Sequence, residues 1–178
     1  MMSNEMIEKR SHAHNDNLTG ERPWGDLGQV IGLIGFLLFW ALDSLVLHAT
    51  TFLAKFIPLP ARLAACGLLM ALAVYFTLSG HRAVFGSPVS GRKIIREGVF
   101  ARVRHPLYFS SLLFYLALCL ASLSLISFAV FLALLIFYDR IAAYEERLLT
   151  VRFGPEYRDY QRKVRRWLPR IKPARFDD

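Results

Sequence analysis

"PLYFSSLLFYLALCLASLSLISFAVFLALLIFY", Pro106 to Tyr138, runs for thirty-three residues without a single charged side chain. As one α-helix it would measure about 50 Å, against a bilayer hydrocarbon core of roughly 30 Å. It is therefore expected to fold into a hairpin, with the bend at "SLSLIS", Ser122 to Ser127. Both arms are then short, so the second helix is expected to continue past Tyr138 toward "AAYEERLL".

Outward from this hairpin the same pattern recurs. Leu63 to Gly80 is uncharged, and so is Leu27 to Leu42, after which apolar character resumes beyond Asp43. Four spans follow, at about 27–48, 63–80, 106–122 and 126–143. The expected fold is all-α: a polytopic membrane domain over 27–178, with C-terminal helices at 144–169 and a flexible polar tail at 1–26. Composition agrees, since over half the residues are apolar yet they come in long blocks, beside a net charge of +8. A soluble domain would scatter them periodically. No basic start leads into an apolar core and cleavage site, so no signal peptide is expected. Cys66 and Cys119 lie inside apolar blocks at no metal-ligand spacing, and His12 and His14 are lone tail histidines, so no metal is expected.

Loop charge sets orientation. His81 to His105 holds six Lys and Arg against Glu97 alone, and the chain from Asp139 onward holds eleven. The Lys55–Arg62 connection holds just those two cations and the serine-rich bend none. The basic segments are thus expected on one side, the cytoplasmic side of a plasma (inner) membrane, with both termini. Juxtamembrane cations are expected from topology and anionic lipid alone, so "RKVRR", Arg162 to Arg166, implies no nucleic acid. Gly28, Gly32 and Gly35 make a smooth face on the first span, suited to close helix packing inside the chain or to an oligomer. Asp43, about 24 Å up that span, falls near the far interface as a structural acid.

Two stretches on the basic side carry the chemistry. In "EGVFARVRHPLY", Glu97 to Tyr108, Pro106 opens a span, because its missing N–H would be unpaired in a first turn anyway. Arg104 and His105 then sit at the interface beside a helix N-terminus that favours anions. Tyr108, Ser111, Tyr115 and Cys119 share one face of that span, suited to interhelical bonding or to a cavity wall. In "YEERLLTVRFGPEYRDYQRKVRRWLP", Tyr144 to Pro169, Glu145 and Glu146 point about 100° apart on one helix. "FGP" ends that helix. A second, amphipathic helix from Pro155 to Trp167 is expected to lie on the membrane surface, with Tyr157, Tyr160 and Val164 on one face and arginines on another. Together these make a pocket at the lipid boundary lined by a histidine, carboxylates, tyrosines and arginines. It suits a charged cofactor meeting a lipophilic substrate.

In order and spacing, "EGVFARVRHPLY", the hairpin, "EE", "RFGPEYRDY" and "RRWLP" resemble the isoprenylcysteine carboxyl methyltransferase family, membrane enzymes related to the phospholipid N-methyltransferases. The resemblance covers about Ile94 to Pro169. It implies an integral membrane methyltransferase using S-adenosylmethionine (SAM), with a lipophilic substrate from the bilayer. The cofactor residues it implies are His105, Pro106, Leu107, Tyr108, Glu145 and Glu146. Arg166 best matches the family's substrate-carboxylate arginine, with Lys163 the competing candidate, and Tyr157 and Tyr160 are further candidate acceptor contacts. A carboxylate acceptor is already a nucleophile. An amine or thiol would first lose a proton, for which Glu146 or Tyr108 is placed. The alternatives are a phospholipid or small-molecule N- or S-methyltransferase of the same architecture, and a non-catalytic protein whose basic face binds lipid or a partner.

Overall fold

The computed structural model describes residues 25–85 and 94–176. The expected polar tail, with His12 and His14, therefore lies almost wholly outside the described residues, as does the middle of the basic loop. Helix α1 (Gly25–Ala41) runs on through a π-helical turn, Leu42–Leu47. It is followed by α2 (Leu59–Phe85), α3 (Pro106–Ser122), α4 (Leu125–Phe153) and a short α5 (Pro155–Lys163). No strand forms among the described residues; one isolated parallel bridge joins Val103 to Arg165. Asp26–Leu47, Leu59–Val84 and Leu125–Phe153 are long and apolar enough to cross a membrane. The apolar α3, with 17 residues, measures about 25 Å.

The hairpin bends at the start of the expected serine-rich stretch. Leu123 takes a left-handed conformation (φ 53°), its N–H donating back to Cys119 O at 2.7 Å. Ser124 then caps α4 by accepting the N–H of Ser127. Helix α4 continues unbroken for 29 residues, about 43 Å, so its last turns stand clear of a roughly 30 Å hydrocarbon layer. Tyr144 to Phe153 belong to this same helix, which continues past Tyr138 as expected. It stops where Gly154 adopts φ 55°, a conformation that glycine enters without steric cost, and Pro155 starts α5.

Gly28 and Gly32 let α1 close on α4. A Cβ added there would lie 2.7 Å from the Phe137 ring or 2.8 Å from a Leu134 methyl, whereas Gly35 has open space beside it. The first two positions of the glycine face are thus taken up inside the chain. The buried core between α1, α3 and α4 holds Phe36, Leu112, Tyr115, Cys119, Leu134 and Tyr138. A second cluster joins Ala73 and Phe76 of α2 to Val99 and Val103, so the "EGVFARV" segment is pinned under α2. Most other apolar side chains of α1 and α2 are exposed, as lipid-facing helices require.

The end of the bundle opposite the basic loops is closed by a polar clasp. Asp43, only 1% exposed, accepts the Thr50 N–H at 3.0 Å and the hydroxyls of Thr50 and Ser124 at 2.5 Å each. Thr50 Oγ1 accepts in turn from Ile126 N at 3.2 Å, and Ser124 Oγ from Ser127 Oγ at 2.9 Å. One carboxylate thereby ties α1 to the hairpin bend, the structural role expected of it. Asp43→Ala orphans three donors at once, a loss of roughly 3 kcal/mol given what a buried bond to a charged group contributes. The thermal midpoint of the detergent-purified protein is expected to fall by about 10 °C.

Candidate functional site

Four chain segments meet at the basic end. Pro106 is the first residue of α3, as expected, and holds His105 and Tyr108 on the turn that begins it. Helix α4 brings Asp139, Glu145 and Glu146. The chain after α5 turns extended at Val164 (φ −119°, ψ 135°), four residues earlier than expected, and this delivers Arg166 and Trp167 to the same place. Backbone bonds fasten it there: Arg104 N to Arg165 O at 3.0 Å, Arg170 N to Arg102 O at 3.0 Å and Ala174 N to Ala101 O at 2.9 Å.

Glu146 is the hub. Its carboxylate accepts Nε and Nη2 of Arg166 at 3.0 and 2.8 Å, lies 3.1 Å from His105 Nε2, and pairs with Arg104 Nη1 at 3.3 Å. Gln161 Nε2 donates to it at 3.3 Å. Burial alone would raise its pKa, but hydrogen bonds from His105 and Arg166 and the charge of Arg104 outweigh it and hold the carboxyl at about 2. The bond to Glu146 is also the main reason the Arg166 guanidinium is pushed above its usual range.

Glu145 takes the other direction. It accepts the Tyr108 hydroxyl and lies 3.6 Å from His105 Nδ1. The imidazole thus stands between two carboxylates, within hydrogen-bond distance of Glu146 and in ion-pair range of Glu145. Its ring stacks on that of Tyr108, with centroids 5.6 Å apart. The Glu145 side chain is 18% exposed against 6% for Glu146, so Glu145 is the acid that a ligand can reach. Arg104 keeps a buried Nε with no hydrogen-bond partner among the described residues.

The expected residues separate by this geometry. His105, Tyr108, Glu145, Glu146 and Arg166 converge. Pro106 shapes the turn, and Leu107 leans on Gly80 of α2, supplying packing. Lys163 lies elsewhere, paired with Asp159 at 3.0 Å and over the Phe176 ring, so of these two cations Arg166 is the one at Glu146. Tyr157 and Tyr160 do share a face with Val164, but that face packs on Ile94, Leu149, Phe153 and Phe176 instead of the membrane. Tyr160 donates to Phe100 O at 2.8 Å. Burial, then the nearby Glu146 charge, raises the Tyr157 phenol. Both rings are 3% exposed or less and are taken up in this packing. Asp139 was not among the expected residues. It accepts Arg166 Nη1 at 2.9 Å and the Trp167 indole N–H at 2.8 Å. Its signal was its spacing: it is the first charge after the long uncharged run, two helical turns before Glu146.

A family model for phospholipid methyltransferases matches residues 57–156, more than half of the chain. The chain belongs to the phospholipid methyltransferase family. No curated protein and no solved structure matches it. Phospholipid methyltransferases are membrane methyltransferases related to the isoprenylcysteine carboxyl methyltransferases, which bears out the resemblance drawn from the motifs and makes this chain a membrane methyltransferase. The matched span runs from the start of α2 into α5 and contains His105, Tyr108, Asp139, Glu145 and Glu146. Helix α1 and the segment carrying Arg166 and Trp167 lie outside it.

Proposed function

We propose that the protein transfers a methyl group from SAM to a lipophilic acceptor at its basic end, which faces the cytoplasm. The observation that carries this reading is the meeting of a charged cluster with an apolar cleft. A cleft of about 580 Å³ opens between α1, α2 and α3, with Thr77, Ser111, Phe114 and Tyr138 among its walls. Its rim residues Val30, Val74 and Leu78 lie exposed on the outer apolar surface. The Tyr138 ring in its wall stands 5.4 Å from that of Tyr108, which bonds Glu145. A lipid tail and a water-soluble cofactor thus have adjoining places.

The residues present fit SAM. Glu145 is placed for its ammonium group, while Arg104, with its unspent Nε–H, and the α3 N-terminus suit its carboxylate. SAM, when bound, supplies an electrophilic methyl group on a sulfonium. The chain's own contribution is orientation and charge placement. For a carboxylate acceptor Arg166 is the anchor. Glu146 holds one edge of its guanidinium, and Asp139, 43% exposed, holds the N–H that an incoming carboxylate would take over. An amine acceptor, such as a phospholipid headgroup, is the second reading. It is favoured by Arg166 being already paired with two acids. Glu146, held at about 2, is then a poor base. Glu145 with Tyr108 takes that part.

Calorimetry of SAM binding to detergent-purified protein tests the cofactor. Glu145→Gln is expected to weaken binding about tenfold, near 1.4 kcal/mol. Absence of SAM binding, or binding unaltered in Glu145→Gln combined with His105→Ala, would falsify the reading. Methyl-labelled SAM given to membranes then separates the acceptors: a carboxyl ester releases its label as methanol in alkali, and a methylated amine does not.

A further inference from the structure

We propose that the C-terminal strap, residues 164–176, is an interfacial anchor that seats in the headgroup layer of anionic phospholipid. The sequence directs attention to α5 for such a role, but the apolar face of α5 is spent on internal packing, and the strap after it has what α5 lacks.

Its depth is set by Trp167. That indole packs against the core shared by α1, α3 and α4, and its N–H bonds Asp139, just before the point where α4 leaves the hydrocarbon. The strap therefore touches the bundle at the membrane edge, where tryptophan is favoured. The next residue, Leu168, is 65% exposed, and Ile171 is 92% exposed. These side chains do not hang on a loose tail. The three backbone bonds to residues 101–104 hold the strap, and Arg102 Nη1 adds bonds to Arg170 O and Ile171 O at 3.4 and 2.6 Å. Two large aliphatic groups are thus held outward at the height of the lipid boundary.

Charge names the partner. Arg165, Arg170, Lys172 and Arg175 are exposed around these apolar residues, and no acid occurs between Val164 and Phe176. Apolar groups bracketed by cations match a surface with acyl chains below and phosphate charge above. Because Arg166 and Trp167 belong to the same strap, its seating also bears on the wall of the site.

Spin labels at Leu168→Cys and Ile171→Cys in the full-length protein test this, in a Cys66→Ala background, Cys119 being fully buried. A label at Val151→Cys, an 86% exposed position in the last turn of α4, is the water-facing control. The protein is reconstituted in phosphatidylcholine vesicles with and without phosphatidylglycerol. Accessibility to oxygen, relative to a water-soluble nickel chelate, is expected to be several-fold higher at both strap positions than at the control. Phosphatidylglycerol is expected to raise it further, and Arg165→Gln with Lys172→Gln and Arg175→Gln to remove that increment. A control-like ratio at either strap position overturns the anchor, and a ratio indifferent to phosphatidylglycerol overturns the anionic partner. These labels report position alone, so the result is independent of SAM binding.

Discussion

Glu146→Ala is expected to lower the thermal midpoint by roughly 10–15 °C. Glu146 is the shared partner of Arg104, His105, Arg166 and Gln161, and it is 6% exposed. Its removal takes the acid partner from Arg104 and leaves Arg166 with Asp139 alone, and loss of one partner from a buried ion pair costs roughly 3–5 kcal/mol. Against total stabilities of about 5–15 kcal/mol such a loss is large. The strap keeps its backbone bonds to residues 101–104 but loses the Arg166–Glu146 tie. Glu146→Gln preserves the shape and one acceptor oxygen, so it is expected to fall between the two. Thermal unfolding with SAM calorimetry measures both. A Glu146→Ala midpoint within a degree or two of wild type would sink the hub role.

Arg166→Ala is expected to abolish most methyl transfer with a milder effect on folding. Glu146 keeps His105, Arg104 and Gln161, so no carboxylate is stranded. For the carboxylate acceptor proposed above, Arg166 acts by positioning, and its loss is expected to lower turnover roughly 100-fold. The acid limb of stability should move too. Because the folded pKa of Glu146 lies at about 2, below the ordinary 4.5, the folded protein binds fewer protons than the unfolded chain. Its contribution is complete above about pH 4.5 and is lost as pH falls toward 2, on the order of 3 kcal/mol in all. Without Arg166 the folded pKa rises toward 4.5, so less stability is stored and acid loosening begins at higher pH. Thermal midpoints from neutral down to about pH 3 would show it. An acid limb identical to wild type would mean that Arg166 does not hold Glu146 in solution.

The membrane fold was legible because hydrocarbon imposes one-dimensional rules. A charge-free run must cross or turn, and thirty-three residues are too many to cross once. Pro106 and Gly154 were legible for equally local reasons, one lacking an N–H, the other taking a positive φ. The Tyr157–Tyr160–Val164 face was also visible as a pattern, yet the partner of that face was misjudged. Periodicity shows that a face is apolar; it does not say whether lipid or protein covers it.

The sequence by itself determined that this is a helical membrane protein, and it brought forward a histidine and paired glutamates as candidates for its site. Those features depend on residues near one another in the chain and on the uniform demand of the bilayer. Tertiary structure alone decided how the two glutamates divide their work. Glu146 is locked among Arg104, His105 and Arg166, whereas Glu145 faces outward beside Tyr108. It also decided that Arg166, not Lys163, reaches them, and that Asp139 takes part. These outcomes rest on contacts across 20 to 42 residues, set by where Val164 leaves the helix and by how α3 meets α4. Chain direction and helix crossing are global quantities, and no local pattern encodes them.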